Sequence, residues 1–556
     1  MFSRRSFLSR TGLTAATAAI AGAPHIARSA EALLANPGQR PKRIIHLVSD
    51  GMSIGTLTCA DAFSQISRKR PLSWMKLYHN PAVRHGMMNT RSLSSLVTDS
   101  SAASSAWGSG SRVVNGALNV LPGGRELTPL YTLLADKGWA RGLVTTAEIT
   151  HATPAGFAVH TKKRDNAAEI ASQYLERRVD VLLGGGRPFF DPAKRKDKRD
   201  LRAEYTAAGY TVVQDLKGLD AAPLGTPLLG TFADSHLPYT LDQLGDPKLQ
   251  ARVPTLAHMT KAALARLENR EQFILQVEGA RIDHAAHNSD AAAAIRDQIA
   301  LDEALDVCLE FQQRNPDTLL VVTTDHANSN LGLNGMGSGY RNSSQRFAAL
   351  EGIKISYPEI LKRLQKIGEK IKVPAVPNDP EDRLPDPLAA IPKPAPTDEE
   401  EKNEDNEPKL TAAVEMTSAL RIEPKAVIDV IADATGYVMS ARRAQLFANV
   451  LAGEQHALYD QMNSVITQLG QLMANRLGIG WTGNTHTSDY VPILAIGPGS
   501  ERFGGMIENT DVFVHYTALT GVDFRNPAMP LITDGGPEAA DVEHIARYAV
   551  ADESFA

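Results

Sequence analysis

Cysteine is almost absent from this chain, with only Cys59 and Cys308 in 556 residues. That excludes a disulfide scaffold and a structural zinc site built on thiolates. Long apolar runs are missing as well. No stretch of about 18 apolar residues free of charge occurs, so no membrane-spanning helix is expected. A basic surplus is lacking: 58 Lys and Arg face 63 Asp and Glu, a net charge of −5, which argues against a nucleic-acid binder. Internal repeats are absent. Gly184-Gly185-Gly186 is followed by no Gly-Lys-Ser/Thr, so it reads as the end of a strand rather than a phosphate loop. What remains is ordinary globular composition, 43% hydrophobic and 22% charged, which excludes disorder, collagen and coiled coil for the bulk of the chain. The length allows several domains, or one large α/β domain with insertions.

Residues 1–30 read as an address. Arg4-Arg5 precede Phe7-Leu8, an apolar stretch runs from Gly12 to Ala23, and small residues follow up to Ala30. Paired arginines in this place suggest the twin-arginine export route, with an ordinary secretory signal as the alternative. The expected location is therefore periplasmic or extracellular. Arg28 breaks the simplest Ala-x-Ala cleavage register at Ala30. The segment holds four arginines and no acid, so without it the balance falls to −9. A chain that folds in a reducing cytosol before export cannot depend on disulfides, which agrees with the cysteine count.

Short β-rich runs recur at Arg43–Ser49, Gly142–Thr146, Val179–Leu183, Phe273–Val277, Leu319–Thr324 and Tyr490–Ile496, separated by helical patterns such as Leu256–Leu267 and Ala291–Phe311. This alternation predicts an α/β fold: a mostly parallel central sheet with helices on both faces. Residues 40–345 and 480–530 carry that pattern. Residues 346–479 look inserted. Within them, 373–409 combines eight prolines between 373 and 396 with the acidic run Asp398–Glu407 and reads as an extended linker. Residues 427–472 have helical character.

In such sheets chemistry gathers beyond the carboxyl ends of strands. Asp50-Gly51-Met52-Ser53 follows the first run. Thr98-Asp99-Ser100-Ser101-Ala102-Ala103 opens a small-residue helix. Glu278 to His287 follows the fourth run, Thr324-Asp325-His326 the fifth, and His486 precedes the last. Each has a plain reading: a turn at Asp-Gly, a helix cap at Thr-Asp-Ser, an i,i+4 ion pair at Asp283 and His287. Together the carboxylates and histidines suffice for two or three metals, nitrogen-rich places suiting zinc and oxygen-rich ones magnesium. Ser100 adds a nucleophile that needs activation by a base or a metal.

The segment Thr98 to Trp107 closely resembles the nucleophile segment of alkaline phosphatases. So do Asp50-Gly51-Met52, Ala152-Thr153-Pro154-Ala155, Val179 to Gly186, Val277-Glu278-Gly279, Thr324-Asp325-His326 and the His486 loop, in the family's order. The resemblance implies an alkaline-phosphatase-like fold with a helical insertion and a phosphoserine formed on Ser100. It implies a first zinc on Asp283, His287 and His486. A second zinc falls to Asp325 and His326, shared with Asp50 and next to Ser100, and a magnesium to Asp50, Thr153 and Glu278. Arg164 matches the phosphate-clamping arginine by its offset from Thr153, with Asp99 orienting it; by spacing alone Arg164 is equally a solvated charge. His151 and His284 fall where the family varies between Asp or Lys and His, so both are candidate metal-associated residues and the third metal's identity is open. Relatives are commonly homodimers.

The expected function is therefore an exported, metal-dependent hydrolase of small-molecule phosphate monoesters. A phosphodiesterase or sulfatase of the same superfamily is the competing enzyme, although the Cys-x-Pro-x-Arg segment of sulfatases is missing. A non-catalytic periplasmic binder of phosphate or metal is the competing class, and it would have no need of Ser100.

Overall fold

The computed structural model describes residues 40–374 and 416–531. The expected signal segment and nearly all of the expected linker lie outside these residues. A ten-stranded sheet forms the centre. In chain order its strands are β1 (Arg43–Val48), β2 (Arg84–Asn89), β3 (Ala140–Glu148), β4 (Val181–Gly185), β5 (Thr211–Val213), β6 (Leu228–Thr231), β7 (Phe273–Glu278), β8 (Thr318–Thr323), β9 (Val491–Ile496) and β10 (Gly505–Glu508). Their order across the sheet is β10-β2-β9-β8-β1-β7-β3-β4-β6-β5. All neighbours pair in parallel except β9, which runs against both β8 and β2.

The middle strands are apolar along their whole length because both faces are covered. Every residue of β7, β8 and β9 is buried. Side chains alternate between the faces. Ile45, Leu47, Leu275, Val277, Leu320 and Val322 join one core cluster, while Ile44, Val48, Ile274, Leu319 and Val321 join the other. The sequence-read strands agree with the observed ones to within a few residues. Those not read are β2, β5, β6 and β10. β2 lies one place from an edge and β5 and β10 are the edges, and β2 carries the mixed pattern Arg-His-Gly-Met-Met-Asn rather than an apolar run.

Within the 346–479 region the expected start of the linker needs adjustment. Val373 and Pro374 do not belong to an extended linker: they end a strand, Glu369–Pro374, that pairs antiparallel with Met416–Arg421. The 427–472 stretch is three helices, Pro424–Thr435, Ala441–Leu451 and Val465–Leu477. Gly436, at φ 67°, ends the first of them in the left-handed conformation that favours glycine. Val427, Ile431, Phe447, Leu469 and Met473 share the core cluster that covers the first face of the sheet.

β1, β7 and β8 end level, with Val48 paired to both Glu278 and Thr323. The residues that follow them therefore converge on one place. Two helices close in on that place, Ser100–Ser109 and Ala152–Ala158. They touch backbone to backbone, because a β-carbon on Gly108 would lie 1.9 Å from the Gly156 carbonyl oxygen. Gly108→Ala is expected to cost about 3 kcal/mol of stability by overpacking. The check is urea denaturation, and an unchanged midpoint would show that the two helices separate freely.

Candidate active site

Ser100 is the first residue of its helix. Asp99 caps it, accepting from the Ala102 amide at 2.8 Å. The Asp99 carboxylate also accepts from Ser101 Oγ and the Gly116 amide, and pairs with Arg164 Nη1 at 3.0 Å. Burial works against that charge, but the Arg164 guanidinium and the donated hydrogen bonds hold the Asp99 carboxyl below the usual range. Arg164 is thus a paired, largely buried cation and not a solvated one; its Nη2 lies 3.3 Å from His151 Nε2.

Three groups of candidate ligands lie around Ser100. In each, donor atoms come within 4.8 Å of one another: Asp283, His287 and His486; Asp50, Asp325 and His326; and Asp50, His151 and Glu278. Their assembly follows from the backbone. Gly51 has φ 66°, and the Asp283 carboxylate occupies the space its side chain would fill, with Oδ1 2.4 Å from an ideal β-carbon. Only glycine lets Asp283 approach the end of β1 so closely. Asp283 and His287 share a face of the helix Arg281–His287, while His486 is brought in by a two-residue pairing of His486–Thr487 with Ala327–Asn328.

Tautomers within the first group are set by carbonyls. His287 Nδ1 lies 2.6 Å from the Asn484 carbonyl and His486 Nδ1 2.8 Å from that of Thr98, so both Nδ1 atoms carry the hydrogen. The Nε2 atoms then face each other at 3.1 Å, with Asp283 carboxylate oxygens 3.3 and 3.6 Å away. Two lone pairs so placed would repel; a proton on His287, which Asp283 favours, or a cation bound between the rings removes that repulsion. In the second group His326 Nε2 is 3.1 Å from Asp325 and 3.7 Å from Asp50, and Ser100 Oγ lies 3.2 Å from the same nitrogen. The His326 and His486 rings stack at 3.6 Å between centroids.

At the third group Glu278 Oε2 accepts from Thr145 Oγ1, but other oxygens lack partners. Both carboxylate oxygens of Asp50, Thr153 Oγ1 and Glu278 Oε1 are buried with no hydrogen bond of normal geometry. Such atoms are costly unless a bound ion satisfies them. Burial, and then the charges of Asp325, Asp283 and Glu278, push the Asp50 carboxyl well above its usual range. Burial lifts that of Glu278 to about 7. By chemistry this donor set fits divalent cations, harder ones at the oxygen-rich third group and zinc where imidazole enters.

The sequence-read residues thus come together, with one adjustment. His151 joins the third group, but His284 lies outside all three, its ring 5.6 Å from that of His151. Sequence reasoning missed His236. Its ring packs 4.3 Å from His284 and 5.8 Å from His151, and its Nδ1 accepts from the Glu148 amide. The available signal was its place shortly after β6, on the same side of the sheet as the other strand-end motifs. Burial holds His236 down to about 4 and His151 and His284 well below the usual imidazole range, leaving three neutral rings.

A serine opening a helix beside clustered carboxylates and imidazoles, at the carboxyl ends of a mostly parallel sheet, defines a metal-dependent α/β hydrolase. The chain belongs to the alkaline phosphatase family: that family's profile ("Alkaline phosphatase") matches residues 41–521. It is 30% identical over 478 residues to alkaline phosphatase 3 of Bacillus subtilis, covering 85% of this chain and 87% of that one. The solved alkaline phosphatase of Thermus thermophilus is similar with a TM-score of 0.74 and 32% identity, over 92% of this chain and 97% of the other. The cold-active enzyme of a psychrophilic Shewanella species gives 0.64 and 25%, over 86% and 99%. The chain is accordingly a phosphomonoesterase of a metal-dependent family.

A pH dependence follows from Glu278. Between the ordinary carboxylate range and about pH 7 the unfolded carboxyl is ionised while the buried one keeps its proton, so this group makes the metal-free protein lose stability as pH rises through that window. A cation must displace the same proton below about pH 7. The rise in melting temperature on adding zinc and magnesium to chelator-treated protein should therefore be larger at pH 8 than at pH 6. Calorimetry at both values checks this, and an equal rise would contradict it.

Proposed function

We propose that this chain is an exported alkaline phosphatase that hydrolyses phosphate monoesters through a covalent phosphoserine on Ser100. The observation that carries the reading is Ser100 itself, with Oγ 3.2 Å from His326 at the start of a ten-residue helix. Asp283, His287 and His486 would hold one zinc, and Asp325, His326 and Asp50 a second. Asp50, Thr153 and Glu278 would hold a magnesium, with His151 beside it. When bound, these cations supply Lewis acidity that lowers the pKa of the Ser100 hydroxyl and of a water.

The chain's own residues supply position and charge. Arg164 presents a planar guanidinium to two phosphate oxygens, and Asp99 keeps it aimed. The helix N-terminus favours the same anion. Ser100 Oγ attacks phosphorus in line as the bond to the substrate alcohol breaks, and the alcohol leaves with a proton. Water then displaces Ser100 from the phosphoserine, releasing inorganic phosphate. Export by the twin-arginine route is supported by Arg4-Arg5 and by two buried, unbridged cysteines. A homodimer belongs to the same reading through the family resemblance.

On p-nitrophenyl phosphate at pH about 9 with zinc and magnesium, the mature chain should turn over fast, and bis-p-nitrophenyl phosphate slowly. Chelator should abolish the rate, and Ser100→Ala should lower kcat by about a thousandfold or more. Preference for the diester would move the chain to the competing enzyme class. Phosphate binding with no turnover in the wild type would make it a binding protein. Arg164→Ala should weaken competitive inhibition by inorganic phosphate by about tenfold or more, through loss of a charge-assisted pair. Unchanged inhibition would remove Arg164 from the phosphate site.

A further inference from the structure

The geometry of His287 and His486 depends on the loop 483–487, which supplies both the second imidazole and, through the Asn484 carbonyl, the partner that orients the first. One side of this loop is tied to the core. His486–Thr487 pairs with Ala327–Asn328, and the Ser329 amide donates to the Thr485 carbonyl at 2.9 Å. The other side meets the inserted region. We infer that Tyr459 and Gln461, from that region, are positioning residues that clamp the loop 483–487 and so hold the His287–His486 pair in register. The inference rests on the metal-binding reading above.

A hydrogen bond and a close approach make the clamp. Thr485 Oγ1 donates to Gln461 Oε1 at 3.2 Å. Gly483 is buried beneath the pair: a β-carbon there would lie 2.8 Å from Gln461 Oε1 and 3.6 Å from the Tyr459 hydroxyl. The absence of a side chain at Gly483 is what lets the Gln461 amide close on the backbone, and the Tyr459 hydroxyl lies beside it. Tyr459 itself is 51% exposed, so core packing does not explain its position.

The clamp is itself braced. Residues Asp460–Met462 form a single helical turn, with Met462 buried. Gln471 Nε2 donates to the Met462 carbonyl at 2.8 Å, and Gln468 Nε2 to the Asn463 carbonyl at 3.0 Å, both from the helix Val465–Leu477. Asn463 closes the segment by bonding Ala457 through its amide nitrogen and oxygen. The arrangement joins a helix packed on the core to the loop bearing His486, so the loop cannot swing outward without breaking it. A loop held on two sides keeps its ligands in place at smaller entropic cost when a cation binds.

The test uses the metal-loaded protein and follows each metal leaving to a chromophoric chelator. Gln461→Ala or Tyr459→Ala should speed release of one zinc about fivefold, and the double substitution about tenfold or more, while the remaining metals leave at the wild-type rate. Gln461→Glu keeps an oxygen acceptor for Thr485 and should restore the slow rate. Melting temperatures of the metal-free variants should match the wild type. Release unchanged in the double variant, or all metals speeding equally, overturns the clamp. A wild-type chain that binds no zinc overturns the metal-binding reading, and the clamp's role with it.

Discussion

Asp50, Glu278, Asp283 and Asp325 place four carboxyl groups within one buried cluster, and that concentration of like charge governs the rest of the structure. No protein could carry these groups ionised in a dry interior without countercharge. The imidazoles of His287 and His326 supply part of it: burial lowers their pKa, but neighbouring carboxylates lift both above the ordinary value. At Asp50 burial and the surrounding carboxyls outweigh His326, 3.7 Å away, and at Glu278 burial dominates, so both pKa values rise. Divalent cations would resolve the conflict, and on the proposed function the same cations would activate the serine. Stability of the site and chemistry at the site are thus a single electrostatic problem.

The sheet brings the charges to one place cheaply. Parallel strands that end level deliver their following residues to the same edge, and burial on both faces keeps those strands fixed. Close backbone approaches do the remaining work. Gly51 admits Asp283, and Gly108 with Gly156 lets the Ser100 helix lie directly on the helix bearing Thr153. Positions held by backbone contact have little freedom to drift, which suits phosphoryl transfer, a reaction that depends mainly on positioning and charge neutralisation. The 346–479 region is not peripheral to this arrangement. Its helices share the core under one face of the sheet, and one of its turns rests against the loop of His486.

The α/β class, the strand ends that carry chemistry and nearly all candidate ligands were legible in the chain, because buried strands are apolar throughout and Asp50-Gly51, Thr98 to Ala103 and Thr324-Asp325-His326 fall directly after or beside them. Three things were not. His236 sits in a loop without a motif and acquires its neighbours only by folding. The state of Arg164 could not be read from spacing, since an arginine among Lys162, Lys163 and Asp165 looks the same in sequence whether it is solvated or paired with a residue 65 positions away. Tyr459 and Gln461 carry no signal at all, being exposed residues whose importance lies in what they touch. By itself the sequence determined which residues are chemically able to bind metal and attack phosphorus, since side-chain chemistry and local apolar pattern are properties of the chain. Only the tertiary structure decided which donors share one cluster, which carboxyls lack a countercharge and what holds the His486 loop, because distance, burial and pKa arise between segments remote in sequence.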